Sequence, residues 1–383
     1  MTDSYRSGSS RSYRATAGVP AGGGGTAASS SRSGATRGGR TYGRGSGQRV
    51  TPPGTKARRF VIIALVISAL ATLGGIGGWG YLKSLNDGLD RLDAFSDLDD
   101  RPDKVVEGSL NVLVLGSDSR NPDSTEGSRA DTIMMLHIPD NGASAYTVSL
   151  PRDLWVEVPS NGADWPGGMS KLNSALSHGG LPLMVQTVEN YTGVRIDHLI
   201  EIDFDGLKEV VDALGGVTMD VEPASGFDTL VSIHKPYREF AAGKQELNGE
   251  EALDYVRQRK QFDMGDFARM KHQQELLMAM MDKATSAGII TDPNALTSFL
   301  QSVIDTVRVD ENFDLMSTAL QFSNLRSDDL VFLTSPHLGS ETINGEDVVI
   351  SDGDTAVGMY QAITNDQMST WVKENPDAVK GIG

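Results

Sequence analysis

Residues 110–150, LNVLVLGSDSRNPDSTEGSRADTIMMLHIPDNGASAYTVSL, decide the fold. They contain three apolar runs of strand length, LNVLVLG (110–116), TIMMLHI (132–138) and AYTVSL (145–150), bounded by Gly and polar turn residues. PDNGA (139–143) is turn-rich, so the second and third runs are predicted to be antiparallel neighbours. If the first and second also pair antiparallel, the end of the first, the start of the second and the end of the third share one sheet edge. Downstream, HLIEIDF (198–204) reads as a strand, and Asp205 is placed to cap a helix with Leu207, Val210, Val211 and Leu214 at i, i+3, i+4, i+7. Gly215 and Gly216 stop that helix and VTMDV (217–221) resumes as strand. Strands alternating with helices predict an α/β sheet covered by helices.

Outward from this core the chain divides by charge. Residues 1–59 hold 11 Lys and Arg and one acid (+10), residues 60–82 hold no charge, and residues 83–383 hold 23 bases and 50 acids (−27), together the −17 of the 383-residue chain. The first segment has 13 Gly and 10 Ser and almost no aliphatic side chains, so a disordered basic tail is expected. FVIIALVISALATLGGIGGWGYL (60–82) spans about 34 Å as a helix, enough to cross a bilayer core. Lys56, Arg58 and Arg59 precede it and acids follow, which puts the tail in the cytoplasm and the rest outside the cell membrane. Leu85, Leu89, Leu92, Phe95 and Leu98 recur at helical spacing, predicting a stalk over 83–104, then a folded domain over 105–373 and a short tail, 374–383. Zero cysteines exclude disulfides, thiolate metal sites and a Cys nucleophile. The acidity of the outer domain argues against a nucleic-acid partner.

The polar clusters fall at the shared sheet edge: Asp118 and Arg120 in GSDSR, Arg129 and Asp131 in SRADT, Arg152 and Asp153 in LPRD. Asp after a strand is most often a turn former, but carboxylates without nearby His or Cys are hard ligands suited to Mg²⁺. Arg129 and Arg152 would repel each other unless an anion lay between them, and planar guanidinium suits phosphate. A second cluster lies in LNGEEALDYVRQRKQFDMGDFARMKHQQELLMAM (247–280). Asn248 and Glu251 form a capping box for a helix ending near Val256; an extended chain beyond it would put Arg257 and Arg259 on one side. Asp266 caps the next helix, on which Arg269 and Gln273 are i, i+4 neighbours. The same helix carries Met270, Leu276, Leu277, Met278, Met280 and Met281, ordinary core residues that would also suit the wall of a groove for a long apolar tail. No Walker A, G-x-G-x-x-G or G-x-S-x-G motif is present, and Ser232 to Lys235 (S-x-x-K) lacks a following K-T-G.

In order, LGSDSR, SRADTIMMLHI, SLPRDLWVEVP, KLNSALSHGG, ELNGEEALDYVRQRK and GDFARMKHQQ resemble the LytR-CpsA-Psr family, strongly over 105–285 and less distinctively over 286–373. The resemblance implies an α-β-α sandwich with a central mixed β-sheet, preceded by a single transmembrane helix. It implies a membrane-anchored phosphotransferase that moves a glycan phosphate from a polyprenyl-pyrophosphate carrier onto peptidoglycan, with arabinogalactan one candidate polymer. Asp118 and Asp131 would hold Mg²⁺ or Mn²⁺. Arg129, Arg152, Arg257 and Arg259 would act on the pyrophosphate, with Arg269, Gln273, Lys171 and Asn173 helping to bind it, and Asp153 would orient an arginine. With KENPDAVKGIG as its last residues, the extra C-terminal domain of some relatives in that family is not expected. Two alternatives use the same residues: a lipid-pyrophosphate hydrolase with water as acceptor, and a non-catalytic polyprenyl-phosphate sensor signalling through the tail.

Overall fold

A computed structural model describes residues 83–380, apart from 97, 99, 118–129, 163–164, 285–286, 291, 315–317, 319–324 and 326–328. Its centre is a seven-stranded mixed sheet. The strands are β1 (Asp90–Leu92), β2 (Leu110–Ser117), β3 (Ala130–Ile138), β4 (Ala145–Ser149), β5 (His198–Asp203), β6 (Val307–Asp310) and β7 (Leu330–Thr334), in the order β1-β6-β5-β2-β3-β4-β7. Both predicted antiparallel pairings are present: β2 with β3 through Leu113↔Met135, and β3 with β4 through Met135↔Val148. β2 runs parallel to β5, and β4 parallel to β7.

The near-continuous apolar runs follow from burial of both faces. On one face Leu113, Leu115, Ile133 and Met135 pack with helix α1 (Ser174–Thr192); on the other Leu110, Val112 and Ile138 pack with Val114, Leu136 and Met281. α1 is broken at Gly179 and Gly180, whose backbone is non-helical, just ahead of Pro182. Helices α2 (Phe204–Ala213), α3 (Gly249–Val256) and α4 (Asp266–Ala284) share a further core with the antiparallel pair 217–221 and 243–247. Here a glycine is required. A Cβ on Gly249 would stand 2.2 Å from the Lys208 carbonyl oxygen, so α3 approaches α2 as closely as backbone allows.

The structure corrects three expectations. The 83–104 segment is not a helical stalk: helix covers only 83–87, after which β1 joins the sheet edge parallel to β6, and Leu85 and Leu89 pack on Ile304, Val309 and Phe313. The apolar spacing of this segment records burial against the domain. Helix α2 begins at Phe204, so position 205 lies inside its first turn and not at the expected position before it. Residues 374–383 are not simply a tail, because 376–380 is helical and Ala378 packs on the main core. Among the described residues no helix is long and apolar enough to cross a membrane; the expected tail and span, 1–82, lie outside them.

Candidate active site

The shared sheet edge exists. Ser117 at the end of β2 is registered with Ala130 at the start of β3, and Leu150 N–H donates to the Ile133 carbonyl at 2.8 Å, bringing the chain after β4 alongside. Two of the expected polar residues meet there, with Arg152 donating from Nη1 to Asp131 Oδ1. Asp118 and Arg129 lie outside the described residues.

Against this edge stands the second cluster. The Asn248–Glu251 capping box forms as predicted, with Glu251 N–H donating to Asn248 Oδ1 at 3.0 Å and Asn248 N–H to Glu251 Oε2 at 3.0 Å. Arg257 is the C-terminal cap of α3, at φ −85° and ψ −13°. The expected extended segment is therefore replaced by turns, in which Gln258 N–H reaches the Tyr255 carbonyl and Phe262 N–H the Arg259 carbonyl. Arg257 and Arg259 nevertheless line one space. A cavity of about 300 Å³ is lined by Asp131, Arg152, Ile233, His234, Arg257, Arg259, Lys260, Arg269 and Gln273. Five of the expected phosphate-gripping residues, from segments more than a hundred residues apart in sequence, thus line a single cavity.

One carboxylate organises them. Asp266, the first residue of α4, lies 2.9 Å from Arg269 Nη2, 3.6 Å from Arg259 Nη1 and 3.9 Å from Arg152 Nε. Arg269 also donates to the Asp131 backbone carbonyl at 3.1 Å, and Gln273 Oε1 accepts from the Thr132 hydroxyl at 2.8 Å. Burial pulls the Arg152 pKa down, but Asp266, Asp131 and Asp153 outweigh it and raise the pKa overall. Arg269, only 8% exposed, goes the other way: burial, helped by Arg152 and Arg259, lowers its pKa despite Asp266. Cations here exceed carboxylates, and a polyanion is the natural complement.

Asp153 lies 3.4 Å from Arg152 Nε, as an orienting partner would, and also 3.4 Å from Lys171 Nζ. Lys171 thus joins the site through Asp153 and does not line the cavity. Asn173 is buried before α1, its N–H donating to the Arg152 carbonyl at 3.0 Å, so it holds backbone near the site. Sequence reasoning took Asp266 for a helix cap and missed its part among the arginines; its place three residues before Arg269 was the available signal. Lys260, Ile233 and His234 were also missed, the latter two because their loop reaches the cavity only through tertiary packing.

Beside the cavity, sharing Gln273 with it, lies a narrow apolar cleft lined by Val114, Gly116, Thr132, Met134, Ile202, Leu207, Leu276 and Leu277. Of the Met and Leu stripe on α4, Met270 is buried, whereas Met280 and Met281 pack on different cores. Among the described residues no group of three or more metal-type side chains converges. Asp131 nevertheless offers an oxygen donor, 28% exposed, beside the arginines, which suits a cation completing its shell with phosphate and water.

The LytR_cpsA_psr family model matches residues 86–365. The Bacillus subtilis polyisoprenyl-teichoic acid–peptidoglycan teichoic acid transferase TagV is 30% identical over 276 residues, which cover 70% of this chain and 69% of that protein. The Corynebacterium glutamicum cell wall biosynthesis protein LcpA is 28% identical over 300 residues, 67% of this chain and 56% of that protein, so the chain spans little more than half of it. Among solved structures, protein gbs0355 from Streptococcus agalactiae is similar with a TM-score of 0.59 at 21% identity, over 68% of this chain and 88% of that one. The crystal structure of B. subtilis TagV gives 0.54 at 26% identity, over 69% and 99%. The fold is therefore the mixed α/β fold of these structures.

Proposed function

The chain belongs to the LytR_cpsA_psr family, and from that membership we propose that it is a membrane-anchored transferase that moves a glycan phosphate from a polyprenyl-pyrophosphate carrier onto peptidoglycan. The observation that carries the proposal is the convergence of Arg152, Arg257, Arg259, Arg269 and Gln273 on one cavity. Phosphoryl transfer needs little covalent help from a protein; it needs the reactants in line and the phosphate oxygens neutralised. Arg152 and Arg269, held by Asp131, Asp153 and Asp266, would present fixed guanidinium groups to those oxygens, and the more exposed Arg259 would add a further one. Asp131 with Asp118 would hold Mg²⁺ or Mn²⁺, which supplies further charge neutralisation. The adjoining apolar cleft suits the first part of a polyprenyl chain, so lipid and pyrophosphate would occupy contiguous space. Residues 60–82 would anchor the domain outside the cell membrane, and arabinogalactan is one candidate polymer.

The test is incubation with a lipid-pyrophosphate-linked glycan, peptidoglycan oligomer and Mg²⁺. Wild type is expected to form a phosphodiester-linked product, and Arg257→Ala and Arg259→Ala to lose it. Free glycan phosphate without coupling would make the protein a hydrolase. No turnover, with full function lost on deleting residues 1–55, would make it a sensor.

A further inference from the structure

Nine large apolar side chains are exposed among the described residues, and five of them, Phe227, Val231, Ile233, Tyr237 and Met264, belong to two segments, 227–237 and 264, that adjoin the cavity-lining residues 233–234 and 257–260. Phe227 is 72% exposed. The antiparallel pair 229–231 and 239–241 carries at its tip the loop 232–238, in which Ser232 N–H donates to the Arg238 carbonyl. That hairpin is tied to the arginine-bearing turn: Ile233 N–H donates to Gln258 Oε1 at 3.2 Å, Gln261 Nε2 to the Val231 carbonyl at 3.1 Å, and Ser225 N–H to the Gln261 carbonyl at 2.9 Å. Asp263 N–H donates to Ser225 Oγ at 2.9 Å, which sets Met264 close to the turn bearing Phe227. Ile233 is itself part of the cavity wall. Exposed apolar side chains clustered in this way, rimmed by polar residues, are the kind of surface that takes part in an interaction.

The charges around it select the partner. In a domain of 23 bases and 50 acids, residues 231–238 and 257–260 hold Lys235, Arg238, Arg257, Arg259 and Lys260 and no acid. Arg238 is committed to Glu250 and Asp254, and Asp228, Glu239 and Asp263 flank the two stretches. Lys235 and Lys260 remain beside the apolar tip. Apolar side chains fringed by lysine are what an anionic bilayer surface takes up.

We propose that the mouth of the cavity is a membrane-docking surface: Phe227, Val231, Tyr237 and Met264 enter the interfacial layer of an anionic bilayer while Lys235 and Lys260 lie on its headgroups. The reading above is used only in taking the donor to be lipid-linked. A cavity pressed to the membrane receives a pyrophosphate at headgroup level, with only the first part of its lipid entering the apolar cleft and the rest staying in the bilayer.

The chain has no cysteine, so single probes are clean. Phe227→Cys, Tyr237→Cys and the control Val357→Cys, on the helix Gly353–Thr364 that packs in the other core, are labelled with an environment-sensitive fluorophore. The full chain is reconstituted in phosphatidylglycerol–phosphatidylcholine vesicles carrying doxyl-labelled lipid. Interfacial elements sit about 5–10 Å deep, so a shallow doxyl group is expected to quench positions 227 and 237 severalfold more than 357. Equal quenching at all three overturns the proposal. So does a blue shift at 227 that doxyl lipid leaves unquenched and that grows with protein concentration, since a second copy would then cover the patch. A Phe227→Ser/Tyr237→Ser double variant is expected to lose about tenfold or more of its turnover on donor in vesicles while keeping it on a short-chain, water-dispersed donor; equal loss on both overturns the proposal. Quenching is read without turnover, so failure of the assigned reaction would leave the docking result standing.

Discussion

Replacing Asp266 by Asn removes the negative charge that Arg269, Arg259 and Arg152 share at 2.9, 3.6 and 3.9 Å. A full charge pair at such distances is worth about 4 kcal/mol at an effective dielectric near 20, before desolvation. The Arg259 pair contributes little of this, because Arg259 is 38% exposed and water screens it. The Arg269 pair dominates, since that side chain is 8% exposed and has Arg152 and Arg259 as further cationic neighbours. Asn retains a hydrogen-bond acceptor, so the expected loss is about 2–3 kcal/mol. At about 2 °C per kcal/mol for a domain of this size, melting should fall by roughly 4–6 °C. Inorganic pyrophosphate should restore it, because the anion supplies the charge that Asp266 gave up. It should also bind the variant several times more tightly than wild type, the cavity having gained a net positive charge. Thermal unfolding of the detergent-solubilised chain, with and without pyrophosphate, measures both effects. Unchanged melting in Asp266→Asn, or an equal rise with pyrophosphate in both proteins, would refute the view that Asp266 stands in for a bound polyanion.

Further outcomes follow from other contacts. Gly249→Ala places a methyl group 2.2 Å from the Lys208 carbonyl, forces α2 and α3 apart, and should cost about 2–3 kcal/mol in urea unfolding while shifting Arg257 and Arg259. Gln273→Leu strands the buried Thr132 hydroxyl, for about 1–2 kcal/mol of stability and weaker pyrophosphate binding by calorimetry. On the same helix, burial raises the Glu275 pKa to about 7 from its ordinary 4.5. The folded state therefore takes up the proton first, stability falls as pH rises from 4.5 through 7, and Glu275→Gln should gain in melting temperature relative to wild type across that window and hold level above it. Burial lowers the His272 pKa to about 4 from 6.5, so this contribution is lost as pH falls from 6.5 to 4, a slope that His272→Gln should flatten in the same melting series.

The strands, their pairing and the cationic character of the site were legible because each is a local property. An apolar run closed by Gly116, or a capping box at Asn248 and Glu251, is written within a few residues, and the turn at 139–143 sets the register of β3 and β4. Reading failed where one pattern serves two structures. Leu85, Leu89 and Leu92 are apolar at helical spacing, yet they are apolar because the domain covers them: Leu89 by Ile304 and Phe313, residues some two hundred positions away. Arg257 and Arg259 were assigned to one side by the wrong route, since a turn and not a strand brings them together.

By itself, then, the sequence determined a basic, apolar and acidic division of the chain, an α/β core and the clustering of arginine and aspartate near strand ends. Hydrophobic periodicity and charge are summed along the chain, which is why they can be read there. Only the tertiary structure decided that Asp266 holds three arginines, that Lys171 reaches the site through Asp153, and that Phe227 and Tyr237 stand exposed. Those facts depend on distances between segments far apart in sequence, which packing sets and no local pattern encodes.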